Sequence, residues 1–300
     1  MNIDKQNGKV AFSELDHVYW NVDDNEKYIS VTTLIHKFSQ PFDKDFWSAY
    51  KALEKLIPKE NWKIEKKSLL KMKKIDKSIL DLYNISENDF NREQQNILDE
   101  WEKKNKEACE RGTKIHADIE NSFYKNSKNI SLKKFDIGGK FECKKDYTDL
   151  DLEYGVYPEY LVYRESDDKV LRIAGQVDLI VKSGNNIWII DHKSNSKIDL
   201  KSGFDSNTRS SVKMKYPLNT LDDCNYNHYA LQLSTYAWML QKINPNFIIK
   251  DLIINHYDHD GNNTLYHCDY LKDEVEKMLY TYKKQVILDN NRAKRKRIIY

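Results

Sequence analysis

The chain is poor in the residues that announce a ready-made chemistry. Its four cysteines, Cys109, Cys143, Cys224 and Cys268, stand far apart in 300 residues and form no CxxC pair. That argues against a zinc knuckle and a cysteine-ligated iron–sulfur cluster, and leaves reduced thiols as the expectation. Its nine glycines are not arranged as G-x-x-x-x-G-K-[ST], so a P-loop ATPase is excluded; G-x-S-x-G is missing too. No run of about 18 apolar residues exists, so nothing is expected to span a membrane. Net charge is only +2, so the chain is no globally basic nucleic-acid binder, and any contact with DNA must come from local clusters. There is no internal repeat and no low-complexity segment.

What is present fits a packed, intracellular protein. Hydrophobic residues make up 40% of the chain, enough for a core, and charged residues 32%. Met1-Asn2-Ile3-Asp4-Lys5 is followed by no apolar run, so no signal peptide is expected and the expected compartment is the cytoplasm. Richness in Lys, Asn, Ile and Tyr fits an AT-rich genome; were the gene carried by a phage, that compartment would be the host's. Basic clusters occur at Lys66-Lys67, at Lys71-Met72-Lys73-Lys74 and at Arg292-Ala293-Lys294-Arg295-Lys296-Arg297. Solvated helix faces explain such runs as readily as phosphate contacts do.

Two regions differ in pattern. Residues 17–36 read as two short strands around the polar turn Asp23-Asp24-Asn25, then a helix that Ser30, Thr32 or Thr33 can cap. Residues 43–126 read as charged helices broken at Pro58 and near 84–87, the longest over 94–124 with Gly112 as an interruption. We therefore expect a mainly helical accessory region over 1–107 and a catalytic core over 108–300. In the core, residues 157–163, 172–181 and 187–191 read as strands. A polar loop is inserted at about 195–225, an amphipathic helix covers 226–243, a hairpin turns at His259-Asp260-Gly261-Asn262, and a final helix covers 272–290. The implied class is α/β, with a small mixed central sheet flanked by helices.

The chemistry gathers on one hairpin. Ala174-Gly175-Gln176-Val177-Asp178-Leu179-Ile180-Val181 and Ile187-Trp188-Ile189-Ile190-Asp191-His192-Lys193 flank a turn centred on Gly184-Asn185. In that register Asp178 and Asp191 stand directly opposite, with Cβ atoms about 4.5–5.5 Å apart, and Lys193 emerges on the same face. Two facing carboxylates in an apolar hairpin repel, and desolvation raises their pKa values. A divalent cation resolves this, and hard oxygen ligands suit Mg2+ or Mn2+. A cross-strand salt-bridge network of Asp178, Asp191 and Lys193 is the other reading. On the preceding helix His116 and Glu120 share a face, and a neutral imidazole could complete a metal shell. Gln232 and Tyr236 share a face on the following helix. His256, His259 and His267 lie on a hairpin without a close ligand set and read as structural. Trp20, Trp47, Trp62 and Tyr216 are candidates for stacking on bases, although core packing accounts for aromatic residues as well.

Taken in order, G-T-x-x-H-x-x-x-E at 112–120, a glutamate at 159, G-x-x-D at 175–178, I-I-D-x-K-S at 189–194 and Q-x-x-x-Y at 232–236 resemble the RecB-type nucleases of the PD-(D/E)XK superfamily. Within that group the chain is most similar to phage exonucleases and the mitochondrial single-strand exonuclease. The resemblance spans about residues 108–270 and implies a restriction-endonuclease-like core. It implies Asp178 and Asp191 as metal-binding acids, Lys193 as the catalytic lysine, His116 as a metal-associated histidine and the main-chain carbonyl of His192 as a further ligand. Glu159 corresponds to the glutamate of the first strand, Gln232 and Tyr236 to the helix that holds the substrate phosphate, and Ser194 to a substrate contact; Glu120 matches less well. The activity implied is Mg2+- or Mn2+-dependent hydrolysis of DNA, by an exonuclease acting on ends, with single strands as one candidate substrate. A structure-specific endonuclease and a non-catalytic DNA-binding or virion protein on the same scaffold are the alternatives. A recombination or replication protein is a candidate partner, and no iron–sulfur cluster is expected.

Overall fold

The computed structural model describes residues 3–144, 152–205 and 209–298, with side chains as far as 295. The elements run in the order β1 (Lys5–Asn7), β2 (Val10–Ser13), β3 (Val18–Asn21), β4 (Lys27–Ser30), α1 (Val31–Lys37), α2 (Lys44–Leu56), α3 (Lys59–Met72), α4 (Ser78–Leu82) and α5 (Glu87–Lys125). Then come β5 (Ile130–Leu132), β6 (Ile137–Phe141), β7 (Gly155–Glu165), β8 (Arg172–Ser183), β9 (Asn186–Lys193), β10 (Phe204–Asp205), β11 (Ser210–Ser211), α6 (Asn225–Ile243), β12 (Ile248–Tyr257), β13 (Asn263–Cys268) and α7 (Lys272–Ile298).

Local chemistry sets several boundaries. Of the three capping candidates it is Ser30 that caps α1, its Oγ accepting the amide of Thr33 at 3.0 Å. Asp43 caps α2 in the same way, accepting from Phe46 at 2.9 Å. Ser86 precedes α5, with Oγ accepting from the amide of Asp89 at 3.0 Å and donating to its carboxylate at 2.7 Å. The helix then runs unbroken for 39 residues, so Gly112 does not interrupt it. One glycine in a long helix costs about 1 kcal/mol, too little to break it.

The chain groups into two units, residues 1–39, 112–201 and 213–300 in one, residues 40–111 and 202–212 in the other. This differs from the expected division at 107/108, because residues 3–39 belong with the sheet rather than with the helices that follow. The strands read within 17–36 are β3 and β4; with β1 and β2, which were not expected, they form an antiparallel meander that joins the sheet through β4, so the start of the region expected to be mainly helical is not helical. The second unit is a helical cluster around Phe46, Tyr50, Leu53, Trp62 and Leu69.

The first unit is a mixed α/β structure built on a nine-stranded sheet, ordered β1-β2-β3-β4-β8-β9-β12-β13, with β7 also paired to β8. Its β4–β8 and β9–β12 pairs are parallel and the rest antiparallel. One face packs on α1, α6 and α7 through residues such as Leu34, Leu231, Met278, Ile180 and Ile189. The other packs on Phe123 of α5 and on Leu132, Phe135 and Phe141, using the alternate residues Leu179, Val181, Ile190 and Ile253. On β8, Ile173 and Ala174 pair with β4, while Leu179 to Ser183 pair with β9. Residues 175–178 thus have ladder partners on β7 at most, and the sheet opens there. The 195–225 segment carries the small β10–β11 hairpin and an ion pair of Lys213 with Asp222 at 2.5 Å; its residues 206–208 lie outside the described ones. No helix among the described residues is long and apolar enough to cross a membrane.

Candidate metal centre

The opening in the sheet is lined by three acids in a row. The register of β8 and β9 is the one that the Gly184-Asn185 turn dictates, with Ser183 opposite Asn186 and Leu179 opposite Ile190. The ladder ends one residue short of Asp178 and Asp191, so these two face each other where the strands part. Between β7 and β8, the pairs Pro158–Leu179 and Tyr160–Val177 leave Glu159 facing Asp178 in the same way. Glu159 has a φ of 51°, the left-handed region. For a non-glycine residue that conformation costs about 1–3 kcal/mol, and such strain clusters at functional sites.

His116 of α5 closes the group. Its Nδ1 lies 3.5 Å from Oε1 of Glu159 and 3.6 Å from Oδ2 of Asp178. One donor atom from each of His116, Glu159 and Asp178 falls within 4.8 Å of the others. An imidazole nitrogen with two carboxylate oxygens is a donor set that a divalent cation accepts, so these residues fit a metal. Nε2 of His116 is 3.0 Å from the main-chain oxygen of His192, to which it can donate. That carbonyl, the implied further ligand, therefore faces the same histidine.

Asp191 stands beside this group with different partners. Its Oδ2 is 2.6 Å from Nζ of Lys193, and its Oδ1 accepts from Nε2 of Gln232 at 3.0 Å. The ammonium of Lys193 also lies 4.7 Å from the ring centre of Tyr229. Gln232 reaches the hydroxyl of Tyr236 at 3.3 Å. Both Gln232 and Tyr236 are buried, and the ring of Tyr236 lies over Gly175, which gives the G-x-x-D glycine its physical reason. The cation-competent cluster thus holds Glu159 in the place where the sequence reading put Asp191. Asp191 belongs to a lysine–glutamine pair next to it.

Electrostatics follow from burial and crowding. Burial raises the pKa of Asp178, with Glu159 adding to it, while His116 and Lys193 pull it down. Burial likewise lifts Asp191 to about 6 against the opposing charge of Lys193. Burial works against a charged His116, yet Asp178 and Glu159 outweigh it and raise its pKa to about 9. For Lys193, too, Asp191 and Asp178 outweigh the penalty of burial, and its pKa rises. His192 is the opposite case: burial, with His116, Lys134 and Lys193 nearby, lowers it to about 3, so its ring is neutral.

Several contributors had no sequence signal. Gln176 donates to Glu159. Tyr19 of β3 stacks on Phe12 at 4.5 Å, and burial together with the charges of Glu159 and Asp178 raises its hydroxyl pKa. Both depend on long-range strand pairing that no local spacing announces. Glu120 is turned to other partners, Lys5 at 3.6 Å and the hydroxyl of Tyr124 at 3.1 Å. Ser194 is half-buried, with Oγ 3.5 Å from where a Cβ on Gly112 would stand. Among the stacking candidates Trp20 and Trp62 are core residues, Trp47 lies under the ammonium of Lys73, and Tyr216 is exposed. His256 bonds the main-chain oxygen of Asn195 and His267 the carboxylate of Asp251, as structural residues do. No two cysteines are bonded to each other among the described residues. Arg292, Lys294 and Arg295 are exposed on α7; the side chains of Lys296 and Arg297 lie outside the described residues.

No family model matches the sequence, and no curated protein matches it. Among solved structures the chain is similar to SSO0001, with 18% identity over 44% of this chain and 50% of that one and a TM-score of 0.27. It is also similar to a protein from Eubacterium rectale described as a candidate exonuclease, with 15% identity over 43% of each chain and a TM-score of 0.31. The matched part spans half or less of either relative, and likeness at this level carries no statement about activity.

Proposed function

We propose that the protein is a divalent-metal-dependent nuclease of the PD-(D/E)XK kind, hydrolysing phosphodiester bonds of DNA and acting as an exonuclease on DNA ends. The observation that carries this reading is the row Glu159, Asp178 and Asp191 on three adjacent strands, with Lys193 ion-paired at its end. Three acids and two cations leave the opening with surplus negative charge, which a cation offsets and which phosphate alone would meet with repulsion. His116, Glu159 and Asp178 would hold Mg2+ or Mn2+, with the His192 carbonyl and Asp191 at hand. Such an ion supplies Lewis-acid polarisation of the phosphate and lowers the pKa of a water.

The remaining roles belong to the chain. Lys193, its pKa raised, stays an ammonium at neutral pH; it orients the attacking water and offsets charge on the phosphate oxygens as that charge builds. A proton-accepting role does not suit it in that state. Gln232 fixes Asp191 through Oδ1, leaving Oδ2 to Lys193. Tyr236 braces Gln232 from behind rather than reaching a phosphate, because it is buried over Gly175.

The test is cleavage of end-labelled single- and double-stranded DNA and of closed circular single strands, in Mg2+ or EDTA, by wild type, Lys193→Ala and Asp191→Ala. Metal-dependent product on linear DNA only, lost in both variants, is expected. Product from circles would replace the exonuclease by an endonuclease. Absence of metal-dependent cleavage by wild type on every DNA would overturn the reading in favour of a non-catalytic scaffold.

A further inference from the structure

We infer that Asn255 of β12 is a positioning residue, which holds the peptide of His192 where its amide and its carbonyl both serve the centre. The inference rests on the metal-dependent reading above and concerns a residue with no ligand role of its own.

His192 is the joint of the site. Its amide donates to Oδ2 of Asp178 at 2.6 Å, and its carbonyl faces Nε2 of His116 at 3.0 Å. A rotation of this residue would move both groups together. The antiparallel ladder to β8 cannot fix it, because that ladder ends at Leu179 and Ile190. The parallel partner at this level of the sheet is Asn255, paired with His192 as Ile254 is with Asp191.

The side chains complete the hold. His192 is 2% exposed and Asn255 0%. Nδ2 of Asn255 lies 2.9 Å from Nδ1 of His192 and 3.0 Å from the hydroxyl of Tyr257. An amide nitrogen only donates, so Nδ1 accepts and the ring proton sits on Nε2. Asn255 is anchored in turn: its Oδ1 accepts from Asn263 of β13, whose Nδ2 also reaches the main-chain oxygen of His256 at 3.3 Å. A polar chain of this kind inside a sheet is expensive, the more so because Nε2 of His192 is buried with no hydrogen-bond partner among the described residues, and the preceding β12 residues, Ile253 and Ile254, are apolar and buried. It meets the centre at His192, whose amide and carbonyl carry the two bonds to Asp178 and His116. Partners that orient a ligand from behind are typically worth about 10–100-fold in metal affinity.

Asn255→Asp is nearly isosteric but presents acceptors to Nδ1, forcing the ring to change its proton or its orientation. The experiment measures Mn2+ affinity of the full chain by calorimetry without DNA, thermal unfolding in EDTA, and cleavage against Mn2+ concentration. Expected are an Mn2+ Kd weakened about 10-fold or more, an unchanged KM for DNA, and recovery of kcat when Mn2+ is raised by the same factor. A folded Asn255→Asp whose Mn2+ affinity stays within about twofold of wild type would overturn the inference. Should that variant not fold, Asn263→Ala is measured in its place, with a loss in the same direction expected and unchanged affinity overturning the inference. Wild type that binds no Mn2+ is a separate result: it removes the metal-dependent reading itself, and the inference with it.

Discussion

A Cβ on Gly175 would stand 2.6 Å from Cε1 of Tyr236 and 3.0 Å from its hydroxyl, so the tyrosine ring occupies the space that the glycine leaves. That hydroxyl lies 3.3 Å from Gln232, and Gln232 donates to Asp191. The missing side chain on β8 is therefore a condition for the placement of a carboxylate on β9.

Gly175→Ala should accordingly lower stability by about 1–3 kcal/mol, the usual range for overpacking, and depress cleavage by displacing Gln232. In a Tyr236→Leu background the same alanine should cost far less in stability. Thermal unfolding of the four proteins in a double-mutant cycle checks this, and additive effects would show that the two residues do not share the space.

Lys193→Ala should abolish cleavage and leave Asp191 buried without its cation. Removing one partner of a buried ion pair costs about 3–5 kcal/mol, here at a pH where Asp191 is ionised. Asp191 titrates near 6 with Lys193 present, and losing the lysine moves that value higher. An acid whose folded pKa is raised loses stability as pH climbs from its unfolded value through the folded one. The destabilisation should thus be small at pH 5 and large at pH 8, read from urea midpoints at the two values.

The hairpin of β8 and β9 was legible because one turn fixes its register, and that register alone brings Asp178, Asp191 and Lys193 together. The mixed α/β class follows from the change between the helical pattern of 43–126 and the strand pattern that starts at 157. Less could be read of Glu159, because its place opposite Asp178 depends on how a separate strand slides along β8. Nothing local marks Asn255 as the neighbour of His192; parallel pairing joins residues 63 apart in sequence. The strands at 5–13 were missed for a similar reason. They are three and four residues long, and only the meander they share with β3 and β4 makes them strands.

His116 gives the protein a pH signature. Burial opposes its charge, but Asp178 and Glu159 raise its pKa from 6.5 to about 9. A cationic group with a raised folded pKa contributes stability that is complete below about pH 6.5 and lost as pH rises through about 9. In EDTA the urea midpoint of wild type should fall across this window more steeply than that of His116→Gln. A bound cation must displace the same proton, so stabilisation by Mg2+ should grow from pH 6.5 to pH 9. Equal slopes for the two proteins would place the titration elsewhere.

Asp178→Asn separates the cost of the centre from its use. The acid is buried, beside Glu159, and its pKa is raised by both conditions. An asparagine oxygen can still accept the amide of His192, so the bond at 2.6 Å has a neutral replacement. With the cost of burying a charged carboxylate and its repulsion toward Glu159 removed, which together outweigh the lost attraction of His116 and Lys193, the variant should melt higher than wild type in EDTA. It should also gain little on addition of Mn2+, whereas wild type gains stability in proportion to the logarithm of metal concentration above its Kd. Cleavage should be lost. The two melting curves would therefore cross as Mn2+ is titrated, wild type starting below and ending above. Were Asp178 one half of a structural salt-bridge network, the variant would melt lower in EDTA and both proteins would be indifferent to the metal.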